Sequence, residues 1–87
     1  MDFSEALKYL KDGGRVARSG WNGKNMWLVL IPGSKITVEK GKPLSLGFHE
    51  GTVVDYLPHI DMKTADEKVV PWLASQTDIL ADDWNTI

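Results

Sequence analysis

The sequence predicts an α+β fold in which an N-terminal helix packs on a small antiparallel β-sheet. Apolar residues recur at helical spacing only near the N-terminus, and short runs rich in Val, Ile and Trp, separated by Gly, Pro and Asn, follow along the rest of the chain. The chain has 87 residues and no cysteine, so we expect one domain over residues 1–87 with a small core that no disulfide reinforces. An oligomer interface is the expected source of additional stability.

The helix is predicted over residues 2–12. Asp2 and, three residues later, Glu5 form an N-cap pair. Gly13 and Gly14 end the helix, because glycine readily adopts the left-handed conformation that follows a last turn. The apolar face that repeats at helical spacing consists of Phe3, Ala6, Leu7 and Leu10.

Most of the remaining chain has strand character. Residues 26–31 are apolar on both faces, which predicts a central strand, or a strand whose second face is covered by a partner subunit. Residues 32–52 are rich in glycine and proline and predict an irregular excursion or a projecting hairpin. Ser75 or Thr77 is expected to cap a short helical turn. The other predicted strands cover residues 15–18, 36–38, 52–55, 56–62, 68–72 and 84–87.

The charge of the chain argues against one class of partner. The formal net charge is −2, whereas nonspecific binding to DNA or RNA depends on many Lys and Arg contacts with phosphates. The charge is also divided, with +4 over residues 1–48 and −6 over residues 49–87. These halves can attract each other within a protomer or across a symmetric interface. A small anion would meet Arg15, Arg18 or Lys24, which lie in the basic half.

The sequence lacks the residues that several kinds of chemistry need. Metal sites need clustered His, Cys or carboxylates, and His49 and His59 are the only histidines. There is no P-loop, no G-x-G-x-x-G and no spacing typical of a Ser-His-Asp triad. The longest apolar run, residues 26–32, is far shorter than the about 20 residues that span a membrane. We therefore expect no metal, no cofactor and no membrane partner.

Tryptophan placement points to binding rather than catalysis. Three of the four tryptophans lie in runs of polar hydrogen-bonding residues, a combination that recognises a polar ring system such as a nucleobase. Trp27 and Trp84 are interpreted as packing residues. Trp21 and Trp72 can equally be ligand contacts or packing residues.

Three stretches of the sequence are similar to a known family. They are residues 21–27 (WNGKNMW), residues 58–66 (PHIDMKTAD) and residues 70–84 (VPWLASQTDILADDW). The sequence resembles the DUF2829 family, which includes the second class of Thoeris anti-defence proteins of bacteriophages. The resemblance covers the N-terminal helix, the stretch around Trp21 and nearly everything from Tyr56 onward, but little of residues 33–52. Glu67 departs from the family pattern, because many relatives carry glycine at this position. This difference affects the geometry of the turn more than ligand binding.

The resemblance implies a non-catalytic sponge that acts in the cytoplasm of the infected bacterial host. It would bind and sequester cyclic ADP-ribose isomers made by TIR enzymes, glycocyclic ADP-ribose in particular, so that the immune effector is never activated. The resemblance also implies a compact α+β protomer that assembles as a homotetramer, with signal pockets shared between protomers. Some relatives also hold cyclic oligonucleotides at a separate site, and the sequence leaves open whether this chain does.

The parts of such a signal molecule indicate the expected ligand-binding residues. Adenine calls for an aromatic face, ribose hydroxyls for amide or carboxylate partners, and the pyrophosphate for basic or backbone N–H donors. The candidates for contact with adenine are Phe3, Trp21 and Trp72. The candidates for contact with the ribose hydroxyls are Asn22, Ser75, Thr77 and Asp78. The candidate donors to the pyrophosphate are Arg18 and the N–H groups of residues 75–77, and Met26 is a further expected ligand-binding residue.

Two other function classes stay open at this point. An enzyme that cleaves the signal would need a nucleophile or a general base, for which Asp78 with His59 is the only candidate pair. A protein-binding module would use exposed tryptophans and the acidic C-terminal segment on a host protein.

Overall fold

The fold is α+β, as predicted, and its main element is a five-stranded antiparallel sheet with one helix packed on it. The computed structural model describes residues 1–22 and 24–87, so Gly23 of the WNGKNMW stretch lies outside the described residues. The elements are α1 (Phe3–Lys11), β1 (Val16–Arg18), β2 (Trp27–Ile31), β3 (Ser34–Thr37), β4 (Val53–Tyr56), β5 (His59–Lys63), β6 (Val69–Pro71), α2 (Gln76–Ile79) and β7 (Trp84–Thr86), with 3₁₀ turns at Ser19–Trp21 and Pro43–Leu46.

Helix α1 forms where the sequence predicts it. The Asp2 carboxylate caps its first turn by accepting the Glu5 N–H at 3.0 Å. The helix ends before Gly13, whose φ of 93° lies in the left-handed region that glycine adopts without steric cost. Ala6 and Leu10 are fully buried, so α1 presents its apolar face to the sheet.

Strand β2 lies at the centre of the five-stranded sheet, whose order is β6-β5-β2-β1-β7. It pairs with β5 over its whole length, from Trp27 opposite Lys63 to Ile31 opposite His59. Leu28 is fully buried in the core with Val16, Leu10, Ala6 and Trp84. Contact with α1 therefore explains why one face of residues 26–31 is apolar.

Trp27 lies on the face of β2 that points away from helix α1. Successive side chains of a strand point to opposite faces, so Trp27, Val29 and Ile31 lie on the face away from Leu28. All three are half-buried. The Trp27 ring lies under the Arg15 guanidinium, whose carbon is 5.1 Å from the ring centroid. Trp27 therefore packs against Arg15 on this face and lies outside the buried core.

A hairpin occupies the segment rich in glycine and proline. Strands β3 and β4 pair from Ser34 opposite Tyr56 to Thr37 opposite Val53, as a two-stranded sheet separate from the main one. The predicted strand over residues 56–62 is interrupted at Leu57 and Pro58, where the chain passes from the hairpin to β5. Proline lacks an N–H and restricts the preceding residue, which explains the break.

The turn between β5 and β6 contains a strained residue. Glu67 has a φ of 65°, in the left-handed region that costs a residue with a Cβ roughly 1–2 kcal/mol. This is the position at which the resemblance leads us to expect glycine. The Glu67 carboxylate lies 2.6 Å from the Lys63 ammonium, so an ion pair offsets part of that cost.

Within the described residues, no helix has both the length and the apolar character needed to cross a membrane.

We predict that Leu28→Ala lowers the free energy of unfolding by about 2–5 kcal/mol, because it opens a cavity between α1 and the sheet. Leu57→Ala is the control, since Leu57 is 72% exposed, and it should change the free energy by less than about 0.5 kcal/mol. Urea denaturation of both variants measures the difference. Equal effects would contradict the position of the core.

Candidate functional site

Trp84 lies at the centre of an aromatic cluster. It is 1% exposed, and its indole N–H donates a hydrogen bond to the Asp78 carbonyl at 2.9 Å. Burial of the ring and satisfaction of its single donor are the properties of a packing residue. The prediction that Trp84 is a packing residue is confirmed.

Three predicted ligand-binding aromatics surround Trp84. The ring centroids of Phe3, Trp21 and Trp72 lie 5.3, 5.4 and 6.1 Å from that of Trp84, and Phe3 also contacts Trp72 at 5.8 Å. These residues come from α1, the 3₁₀ turn after β1 and the segment after β6. Each of the three residues is only half-buried. The fold thus brings together aromatic residues that are distant in sequence.

Arg18 binds two carboxylates from the C-terminal part of the chain. Its Nη1 donates to Asp78 Oδ1 at 2.7 Å, and its Nε donates to Asp83 Oδ1 at 2.8 Å. The Arg18 and Asp78 side chains are only 14% and 15% exposed. Two residues predicted to contact the ligand separately are therefore in contact with each other. The group carries one positive and two negative charges, so Arg18 does not act as a free cation.

The same ion pairs shift two pKa values. The hydrogen bond from Arg18 is the largest cause that holds the pKa of Asp83 below its ordinary value of 3.8, and the hydrogen bond from the Gly20 N–H lowers it further. The hydrogen bond to Asp83, and then the one to Asp78, raise the pKa of Arg18 above its ordinary value. Arg18 and Asp83 are therefore both charged near neutral pH.

Asp83 also fixes the start of the Trp21 loop, which we define as residues 19–22 and 24–26 of the described chain. Asp83 Oδ2 accepts the Gly20 N–H at 2.6 Å, and the Asp83 carbonyl accepts the Ser19 N–H at 3.1 Å. A Cβ on Gly20 would lie 2.8 Å from Asp83 Oδ2 and 2.9 Å from Arg18 Nη2, so a larger residue would displace the ends of these two side chains. Farther along the loop, the exposed Asn22 has a φ of 56°.

A cavity of about 250 Å³ opens beside this loop. It brings together three predicted site residues, Arg18, Trp21 and Met26. Its complete lining is Ala17, Arg18, Trp21, Lys24, Asn25, Met26 and Ile87. The sequence indicates Lys24 as an anion contact. It does not indicate Asn25, because an exposed amide within a loop gives no sequence signal of its own.

A larger cavity of about 500 Å³ lies in the hairpin, lined in part by Ile36, Val38 and Leu44. It contains none of the predicted site residues. Volume alone favours the hairpin, but the aromatic rings and fixed charges converge at the Trp84 end. We therefore place the candidate site at the Trp84 end.

Helix α2 carries the remaining predicted polar residues. Ser75 is its N-cap, with Oγ accepting the Asp78 N–H at 3.1 Å, so Ser75 has a structural role and retains a hydroxyl proton to donate. Thr77 is exposed on the same short helix. The segment from Trp72 to Asp78 is thus joined to the aromatic cluster at both ends.

The two members of the candidate acid–base pair have different partners. His59 Nε2 lies 3.6 Å from Asp61 Oδ1, and Asp78 bonds Arg18. Among the described residues, no group of three or more His, Cys, Asp or Glu side chains could hold a metal ion.

Comparison with known proteins agrees with the resemblance noted in the sequence. A family model described as Tad2-like, the Thoeris anti-defense 2-like domain, matches residues 1–87. The chain belongs to this family. It is also 44% identical over 88 residues to the protein named Thoeris anti-defense 2 of Bacillus phage SP01, with 100% of this chain and 94% of that relative covered. The resemblance to the second class of Thoeris anti-defence proteins is therefore confirmed.

We predict that Asp83→Asn lowers the melting temperature by a few degrees at pH 7, and that this effect becomes progressively smaller as the pH falls from about 4 toward 3. The folded-state pKa of Asp83 is lowered, so its carboxylate stabilises the fold above its unfolded pKa of about 3.9, and this contribution is lost as pH falls through the folded pKa. Thermal melts from pH 3 to 7 measure it. Asp82→Asn is the control, because the Asp82 side chain makes none of the contacts described. A pH-independent effect of Asp83→Asn would contradict the ion pair.

Proposed function

We propose that this protein counteracts Thoeris immunity in the cytoplasm of the infected bacterium by sequestering a cyclic ADP-ribose isomer, glycocyclic ADP-ribose in particular. The observation that carries the proposal is the cavity lined by Trp21, Lys24 and Met26 beside the aromatic cluster. Family membership supports the link to Thoeris. The relative from Bacillus phage SP01, named for this role, adds to that support.

The residues of this site match the chemistry of the ligand. The half-buried Trp21 offers a ring face on which adenine can stack. Lys24 is exposed at the cavity and can pair with the pyrophosphate, a task for which Arg18 is less suited because two carboxylates already neutralise it. The amides of Asn22 and Asn25 can bond ribose hydroxyls.

Sequestration requires affinity but no chemical step. A ligand with about 35 non-hydrogen atoms at roughly −0.3 kcal/mol each can reach about −10 kcal/mol, or tens of nanomolar. The Asp78 carboxylate is engaged by Arg18 rather than by His59, which favours binding over acid–base cleavage. Charged groups fixed in advance cost little ordering when the ligand arrives, and this raises affinity further.

We also propose that a second copy of this chain covers the face of the sheet that carries Trp27, Val29 and Ile31. Charges on this face are arranged for self-association. Arg15 lies over Trp27 on the β1 side of β2, and Asp61 pairs with Val29 on the β5 side. A two-fold axis that lies between the two faces and runs parallel to β2 would bring Arg15 of one copy opposite Asp61 of the other. Such a dimer is one half of the tetramer that the resemblance implies.

We predict that Lys24→Met weakens binding of glycocyclic ADP-ribose about tenfold to a hundredfold, because a charge-assisted bond to the pyrophosphate is lost. The fold should be unaffected, since Lys24 is exposed. Calorimetric titration measures the dissociation constant.

Lys40→Met is the matched control for this prediction, because it removes an exposed lysine that does not line the cavity. Equal affinity of both variants would remove Lys24 from the site. No binding by the unaltered protein would contradict the proposed function.

We predict that Arg15→Glu and Asp61→Arg each shift the protein toward the 9.7 kDa monomer, and that combining them restores the oligomer, because the charges then attract again. Light scattering at micromolar concentration measures the mass. A monomeric unaltered protein, or single variants that assemble normally, would overturn the proposed interface.

A further inference from the structure

Lys63 is the only buried charged residue among those the structure describes. Its side chain is 8% exposed on β5, and a buried ammonium must find acceptors to offset the water that it loses. It has two of them. Lys63 Nζ donates to the Asn25 carbonyl at 2.8 Å and pairs with Glu67 Oε1 at 2.6 Å.

The first acceptor connects Lys63 to the far end of the Trp21 loop. Asn25 has a φ of 55°, so it is held in a conformation that asparagine tolerates but does not prefer. Asn25 lines the candidate cavity together with its neighbours Lys24 and Met26. Asp83 fixes the start of this loop, and Lys63 is the contact that fixes its end.

The second acceptor gives a reason for the strained backbone at Glu67. Its φ of 65° favours glycine, yet the residue is a glutamate whose carboxylate reaches the buried ammonium. Strained residues persist where the surrounding structure holds them, and they concentrate at binding sites. The side chain of Glu67 is 72% exposed, so its carboxylate could turn to solvent if Lys63 did not hold it.

We propose that Glu67 and Lys63 are positioning residues for the signal-binding site, acting through the Asn25 carbonyl. Neither lines the cavity. Glu67 orients the Lys63 ammonium, the ammonium holds Asn25, and Asn25 holds the cavity wall in its binding conformation before the ligand arrives. A loop that must be ordered on binding costs affinity, so this relay raises the affinity. The inference rests on the proposed function, because it concerns the same site.

The test separates positioning from stability. Glu67→Gly removes the carboxylate and also relieves the left-handed strain. We expect a melting temperature that is unchanged or higher, together with binding of glycocyclic ADP-ribose that is weaker by roughly three- to thirtyfold. Lys63→Met keeps the length of the side chain without its charge, and it should weaken binding similarly. The double variant should be no weaker than Lys63→Met, since both act through one contact.

Lys68→Met is the matched control. Lys68 lies in the same turn, its side chain is 76% exposed, and it pairs with Asp66 rather than with the loop. Its substitution should leave the affinity unchanged.

A second readout needs no ligand. Amide hydrogen exchange at Asn25 and Met26 should be faster in Glu67→Gly and Lys63→Met, while exchange at Leu28 in the core stays slow. Unchanged affinity in Glu67→Gly, or unchanged loop exchange in both variants, would overturn the positioning role and leave the proposed function standing. No binding by the unaltered protein would overturn both.

Discussion

Burial of the Trp84 indole is the constraint on which the candidate site depends. The ring is enclosed by Phe3, Trp21 and Trp72, and its N–H is satisfied by the Asp78 carbonyl. One side chain thereby fixes the relative positions of α1, the Trp21 loop and the segment leading into α2. Because the surrounding rings are held against Trp84, a ligand that contacts them would meet side chains that are already ordered.

Fixed charges complete the site. Arg18 joins the end of β1 to α2 through Asp78 and to the start of β7 through Asp83, and Asp83 also binds the Gly20 N–H. Arg18 is thus used to organise the region, and Lys24 is the exposed cation that lines the cavity. Lys63 performs a similar organising task at the other end of the loop.

The sequence predicts those features that depend on local signals. The Asp2 cap and the helical spacing locate α1, the apolar run locates β2 at the centre of the sheet, and the Ser75 cap locates α2. Contacts between distant residues carry no such signal. Arg18 lies 60 and 65 residues from the carboxylates that it binds, so sequence reasoning treated Arg18 and Asp78 as separate ligand contacts. An apolar strand also does not reveal which of its faces meets the helix, so the position of Trp27 on the face away from α1 has no local signal.

The fate of the bound signal is the most direct test of the central claim, that the protein sequesters and does not cleave. The protein is incubated with glycocyclic ADP-ribose, separated from free ligand, denatured by heat and analysed by chromatography. We expect the ligand to be retained during separation and to be released intact in an amount that matches the number of binding sites. Recovery of an altered nucleotide would contradict this claim in favour of an enzyme, and failure to retain the ligand would contradict signal binding itself.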